Sequence, residues 1–326
     1  MAAFIGDAVR SVLGQTHRDL RMVVVDDGSS DGTAEAVAAF TDPRLSLIRQ
    51  ENAGVSAARN RGIAEADGDA LLFLDADDWL APNALALLAH ALAAAPNAVA
   101  AVGAYDRVDL WKRRRPRATR RDLLARLLVR NQFANGGHLL IRRGAIRQAG
   151  GFRPDLVYGE DWEYWVRLAL HGDFALVPDA SPLLFIRSRA DGAYRERAAD
   201  PANFHPCMSA IFGNPAVLER FGPARLAVLR RHAEAENHWV VGRELVRQGH
   251  VAEGRRWLRR SFAEAPTARR AILLAAAHAL GLLPPNLHGP FRAYAVPYGI
   301  SQPPAERRSD YVAPSKMASG SNAETT

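Results

Sequence analysis

Two apolar runs in the first quarter of the chain end abruptly on carboxylates, and this constrains the fold more than any other feature. Residues 20–25 close on Val23-Val24-Val25 and are followed at once by Asp26-Asp27. Residues 70–74 close on Phe73-Leu74 and are followed by Asp75-Ala76-Asp77-Asp78. A β-branched, apolar run suits a buried strand. Ionised carboxylates are too costly to bury unpaired, so they mark where each strand leaves the core. In open α/β sheets, ligands bind just beyond the carboxyl ends of strands. Both acid clusters are therefore candidate site residues as well as strand terminators.

The rest of the first 185 residues alternates in the same way, as an α/β domain requires. Ile5, Ala8, Val9, Val12 and Leu13 share one helical face. Helices are predicted over 33–40 and 55–66, strands over 45–48 and 98–105, and a helix opening at Pro82 with Leu85, Leu88 and Leu92 inward. Beyond about residue 205 the pattern becomes all-helical. Segments 237–245 and 251–262, joined at Gly249, resemble one tetratricopeptide-like hairpin. A single hairpin does not make a repeat array. From Ser301 the chain is polar and rich in Pro, Ser and Ala, the composition of a disordered tail.

The first acid cluster, Asp26-Asp27-Gly28-Ser29-Ser30-Asp31-Gly32, partly imitates a calcium loop. The bidentate glutamate such a loop needs falls on Ala38, so that reading fails. A plain turn remains, since Asp, Gly and Ser favour turns for local reasons. The functional alternative is a strand-tip acid that accepts the N–H of a nucleotide base. The second cluster sets Asp75, Asp77 and Asp78 within four residues, where they repel one another. A divalent cation removes that repulsion, and oxygen ligands point to Mg²⁺ or Mn²⁺ rather than zinc. A third element, Gly159-Glu160-Asp161-Trp162-Glu163-Tyr164-Trp165, opens a helix. Alone, acids in a first helical turn are capping groups more often than catalysts.

Charge and cysteine content narrow the class further. The formal charge is +7 and the sequence pI about 10.0, which favours anionic partners. No zinc spacing, RNP-like motif or basic heptad region supports nucleic acid. Much of the excess lies in Lys112-Arg113-Arg114-Arg115-Pro116-Arg117 with Arg120 and Arg121, either a solvated loop or a lipid- or acceptor-facing patch. The apolar stretch 271–283 is shorter than the roughly 20 residues of a spanning helix. One cysteine, Cys207, and no apolar leader fit a cytoplasmic protein, with peripheral contact on the inner face of the plasma membrane.

In this order and spacing, VVVDDGSSDGT, NAGVSAARNRG, FLDADDW and GGFRPDLVYGEDWEYWVRL resemble the family 2 glycosyltransferases of GT-A fold, over residues 1 to about 190. The resemblance implies an α/β, Rossmann-like mixed sheet flanked by helices over 1–195, a helical region over 196–300 and a tail over 301–326. It implies a nucleotide-diphospho-sugar donor, a glycan or lipid-linked acceptor and a divalent cation, Mg or Mn. Residue by residue, Asp26 and Asp27 would sit at the nucleotide base with Arg59 nearby. Asp75 and Asp77 match the family's DxD element, which holds the ribose and the metal on the diphosphate, with Asp78 sharing that task. Asp161 matches the catalytic base, with Glu160 beside it, in an inverting displacement serving cell-surface polysaccharide or glycan synthesis.

Two departures accompany the resemblance. The family begins with an apolar strand lying inside the sheet, whereas this sequence opens on the helix that follows it; either its start is misassigned or it is a truncated and catalytically impaired member. Many relatives also carry a histidine where this chain reads Leu184-Phe185-Ile186-Arg187-Ser188-Arg189. Rival readings are a haloacid-dehalogenase-like phosphohydrolase, with Asp75 as nucleophile and Asp77 as acid/base, and a non-catalytic binding module. The first lacks a well-placed lysine, since only Lys112 and Lys316 exist. A dinucleotide dehydrogenase fails because no Gly-x-Gly-x-x-Gly opens a helix.

Overall fold

A computed structural model describes residues 1–108, 112–114, 123–178, 181–187 and 197–282. The tail over 301–326 and most of the arginine-rich run lie outside them. Helix α1 (Ala2–Leu13) is followed by strand β1 (Met22–Asp27), α2 (Thr33–Ala38), β2 (Leu45–Gln50) and α3 (Val55–Glu65). β1 and β2 pair in parallel, from Met22 opposite Leu45 to Asp27 opposite Gln50. The apolar face of α1, with Ile5, Ala8 and Val9 buried, packs on Val37, Val24 and Leu47. That packing gives the pair its core.

The second layer is built from short strands. β3 (Ala70–Leu71), β4 (Trp79–Leu80), α4 (Ala84–Ala93), β5 (Ala98–Val102) and β6 (Ala104–Arg107) come first. β7 (Lys112–Arg114), α5 (Leu123–Val129), β8 (Leu139–Arg142), α6 (Arg143–Ala149) and α7 (Glu160–His171) follow, then β9 (Asp173–Leu176) and β10 (Pro182–Ile186). One sheet has the order β3-β8-β5-β9 and another β4-β10-β6-β7, each mixing parallel and antiparallel pairs. Among the described residues, β1 pairs only with β2 and β3 only with β8.

Three sequence expectations shift. The strand predicted over 98–105 is two strands in different sheets, broken at Gly103. Gly103 donates its N–H to the His138 carbonyl at 3.0 Å, its own carbonyl bonds the His138 ring, and it packs too close to Leu183 to accept a side chain. The strand over 70–74 is paired only at Ala70 and Leu71. Helix α4 starts two residues after Pro82, because Gln15 takes over its end. The fully buried Gln15 donates to the Ala81 carbonyl and accepts from Leu85 N–H.

The apolar core does not stop at residue 195. α8 (Phe204–Phe212) and α9 (Pro215–Gln248) place Cys207, Met208, Ile211, Phe212, Val217 and Leu226 in one cluster with Leu127, Trp162 and Trp165. α9 is kinked at Gly222-Pro223, then turns through Gly249 (φ +97°) into α10 (Val251–Glu264). Gly242 and Gly254 let the two backbones touch, and α11 (Ala268–Leu282) closes a smaller cluster around Trp239 and Leu258. Among the described residues, no helix is long and apolar enough to cross a membrane.

Candidate active site

Asp26, one residue from the end of β1, has its side chain almost fully buried. It accepts from Ser29 N–H at 3.0 Å and from Arg49 Nε at 3.1 Å. Burial alone would raise its pKa, but the bonds from Ser29 and Arg49 bring it below the usual value. Asp27 takes one oxygen to Gln50 Nε2 (2.8 Å) and Ala53 N–H (2.9 Å), the other to Gly54 N–H (2.8 Å). This clasp fixes the loop that enters α3. Both carboxylates thus already accept from protein donors around the end of β1.

Arg59, on α3, joins two of the acidic segments. It donates through Nη2 to Asp75 Oδ1 and through Nη1 to Glu160 Oε1, each at 3.1 Å, with its guanidinium 5.2 Å from the Phe152 ring centroid. It therefore ties the turn after residues 70–74 to the start of α7. Asn60, next in the chain, bonds both the N–H and the carbonyl of Phe152 and holds that ring in position.

The three acids of the second cluster do not converge as a ligand set. Asp78 is buried: it accepts from Asn135 Nδ2 at 2.7 Å and from Arg187 N–H at 2.9 Å. Burial, then the charges of Asp75 and Asp77, push its carboxyl up to about 8. Asp78 is an internal brace, so its expected share in metal binding is not what the geometry shows. Among the described residues, no three His, Cys, Asp or Glu side chains meet as a metal site. Asp75 and Asp77 remain half-buried on the turn, with Asp75 Oδ2 also accepting from Asn135 Nδ2 at 3.0 Å. Two such carboxylates fit a magnesium-like ion that takes its other ligands from phosphates and water.

α7 starts on Gly159, in the left-handed region at φ +76°. Asp161 accepts from Trp162 N–H at 2.6 Å and from Asn131 Nδ2 at 3.1 Å. It keeps some contact with solvent, but protein surrounds it closely. That enclosure, and then the neighbouring Glu160, raise its pKa well above the usual carboxylate value, against Arg59 and the two hydrogen bonds. A base with a raised pKa sits closer to neutral operating pH. Below the turn, the Cys207 thiol donates to the Gly159 carbonyl at 3.2 Å.

Three site residues escaped the sequence reading. Asn131 and Asn135 lie in the polar break between α5 and β8, just ahead of Gly136-Gly137; a pair of amides in such a break is the signal that was there to find. Arg187 stands in the segment where a histidine was looked for. Besides its N–H to Asp78, its guanidinium donates to the Asp77 carbonyl (3.1 Å) and Asp7 (3.0 Å), and lies over the Trp79 and Phe4 rings. It pins α1 to the acid turn.

Residues 2–150 match the family model for glycosyl transferase family 2. This part of the chain belongs to glycosyl transferase family 2. The curated relatives that match over 73 to 87 residues include the putative teichuronic acid biosynthesis glycosyltransferase TuaG of Bacillus subtilis. TuaG is 40% identical over 78 residues, 23% of this chain and 31% of that protein. The chain spans 11 to 27% of the length of the curated relatives with the strongest matches. Two solved structures share the fold. Staphylococcus aureus TarS with UDP-GlcNAc has a TM-score of 0.62 at 18% identity, over 85% of this chain and 84% of that one. The mannosyltransferase PcManGT of Pyrobaculum calidifontis, with GDP-Man and Mn²⁺, has a TM-score of 0.53 at 23% identity, over 91% and 82%. The family 2 domain therefore has the GT-A fold, with a helical region after it.

Proposed function

We propose that the chain moves a sugar from a nucleotide-diphosphate donor to an acceptor hydroxyl by a single inverting displacement. The observation that carries this reading is the bridge through Arg59, which brings Asp75 and the Glu160-Asp161 turn to one place. Asp161 takes the proton of the acceptor hydroxyl, whose oxygen attacks the anomeric carbon while the bond to the diphosphate breaks on the opposite face. Asn131 and the Trp162 N–H keep the Asp161 carboxylate aimed. Asp75 and Asp77 would hold a divalent cation, which neutralises charge on the departing diphosphate. The loops clasped by Asp26 and Asp27 shape the seat for the nucleotide base. Protein groups here supply position and electrostatics.

TuaG is named for teichuronic acid biosynthesis, which supports an acceptor of cell-surface glycan type. α11 exposes Ala271, Ile272 and Ala275, while the adjacent α10 exposes Arg256, Arg259 and Arg260. An apolar stripe beside basic residues supports peripheral contact with an anionic membrane.

A donor panel tests the main reading. Purified chain, incubated with UDP- and GDP-sugars and Mn²⁺, should bind at least one nucleotide diphosphate more weakly once EDTA is added. Equal affinity with and without EDTA would remove the metal from the proposal. Membrane contact is checked with liposomes: co-sedimentation on anionic vesicles at low salt should be lost near 1 M salt, where the Debye length is about 3 Å.

A further inference from the structure

The loop between α5 and β8 carries two asparagines whose amides are oriented in the same way. Asn131 accepts Phe133 N–H on Oδ1 at 3.1 Å, which leaves Nδ2 to donate to Asp161 Oδ2 at 3.1 Å. Asn135 accepts Gly137 N–H on Oδ1 at 2.9 Å, which leaves Nδ2 to donate to Asp75 Oδ2 and Asp78 Oδ2. In each case a backbone N–H of the loop takes the amide oxygen, so the nitrogen faces the carboxylates.

The loop itself has little freedom. His138 is fully buried; its Nδ1 donates to the Gly103 carbonyl at 2.8 Å, and its Nε2 accepts Ala134 N–H at 3.3 Å. Phe133 stacks on Phe174 with centroids 5.3 Å apart. Gly136 lies flat on the Phe73 backbone, and Gly137 on Leu74 and Leu184. The loop is thus seated on the segment that precedes Asp75, with α7 on its other side.

We propose that Asn131 and Asn135 are positioning residues that act as one brace, setting the general base and the donor-side acids in fixed register. The inference rests on the transferase reading only in naming Asp161 as the base. A neutral amide suits the task. It orients a carboxylate and favours its ionised form, yet brings no positive charge that would hold the base as an ion pair. Charge near Asp161 comes instead from Arg59 on α3 and from Glu160 on its own helix, with the Cys207 thiol of α8 and Glu163 close by. The two amides divide the work: Asn131 touches the base alone, and Asn135 touches the acids of the turn alone.

The test separates these roles in the full chain. The pKa of Asp161 is read by carboxyl ¹³C NMR titration, which needs no turnover, and the pH–rate profile and donor KM are read alongside. Asn131→Ala should raise the Asp161 pKa by about one unit, the scale of one hydrogen bond to a charged group. The low-pH limb of activity should move up by the same amount, with donor KM little changed. Asn131→Ser can keep the turn bond to Phe133 N–H but is too short to reach Asp161, so it should give the same shift in a folded protein. Asn135→Ala should leave the limb in place and raise donor KM about tenfold, the scale of about 1.4 kcal/mol. An Asp161 titration unmoved in both Asn131 variants overturns the brace, as does an Asn135 variant that moves the limb instead of KM. A wild-type chain that transfers no sugar defeats the functional reading, while the titration still decides what Asn131 does.

Discussion

Arg59 reaches Asp75 and Glu160 at the same distance, 3.1 Å, with one terminal nitrogen for each. The planar fork of a guanidinium allows this; a lysine ammonium is a single point on a flexible stem. Arg59 is also stacked on Phe152, which Asn60 fixes from both sides. The cation is held by its own neighbours, so the acids of α7 and of the second turn are assembled around it.

Arg59→Lys should therefore keep the charge and lose the bridge. Stability should fall by about 1–2 kcal/mol, between the values for exposed and buried pairs, because the bridge is only partly enclosed. Turnover should fall at least tenfold, since Glu160 and Asp161 lose their register with Asp75. Chemical denaturation and steady-state kinetics check the two effects. Full activity in the lysine variant would mean that only the charge matters.

Asp161→Asn distinguishes a base from a helix cap. As a base, its loss should lower turnover by two to four orders of magnitude. The raised pKa also sets the sign of its effect on stability. A carboxyl whose folded pKa exceeds its unfolded one favours the fold at low pH, and that contribution is lost as pH rises through the folded value. The Asn variant should then be as stable as the parent, or more so, at pH 8. A stability loss of about 1 kcal/mol with activity retained per folded molecule would make Asp161 a cap.

His138 works in the opposite sense. Burial, partly offset by its bond to Gly103, lowers its pKa to about 4, so the folded protein keeps it neutral. Between pH 6.5 and 4 the unfolded chain binds a proton that the folded one does not. Its contribution is complete above pH 6.5 and is lost as pH falls towards 4, on the order of 3 kcal/mol in all. His138→Gln should flatten that part of the stability–pH curve, as followed by urea denaturation. An unchanged slope would place the acid sensitivity elsewhere.

The ends of β1 and α7 that carry Asp26 and Asp161, and the apolar run that stops at Asp75, were legible in the sequence, because an apolar period that stops on an acid is a local signal. What those acids touch was not. Asp78 and Arg187 meet across 109 residues, and Asn135 and Asp78 across 57, with no period to announce them. Three carboxylates within four residues look alike in a string, yet Asp78 turns inward to brace the fold while Asp75 and Asp77 stay half-buried on the turn. The break at Gly103 was hidden for a related reason: its cause is His138, 35 residues on.

Gly159 offers a sharper test of how the base is presented. Its φ of +76° disfavours any residue with a Cβ by about 1–2 kcal/mol. A Cβ there would also lie 2.7 Å from Cys207 Sγ and 3.1 Å from Cys207 Cβ. Gly159→Ala thus meets two obstacles, and only one can be removed from outside the turn. Alone, it should destabilise by about 2–4 kcal/mol and lower kcat at least tenfold, because the start of α7 must shift and carry Asp161 with it. Cys207→Ala alone should cost about 1 kcal/mol for the lost sulfur packing and leave kcat close to the parent value. In the double variant the clash with sulfur is gone while the backbone strain persists. It should be more stable than the sum of the single effects predicts, with part of the kcat restored. Additive losses in both quantities would show that strain at the turn, rather than the packing of α8 beneath it, governs where Asp161 stands.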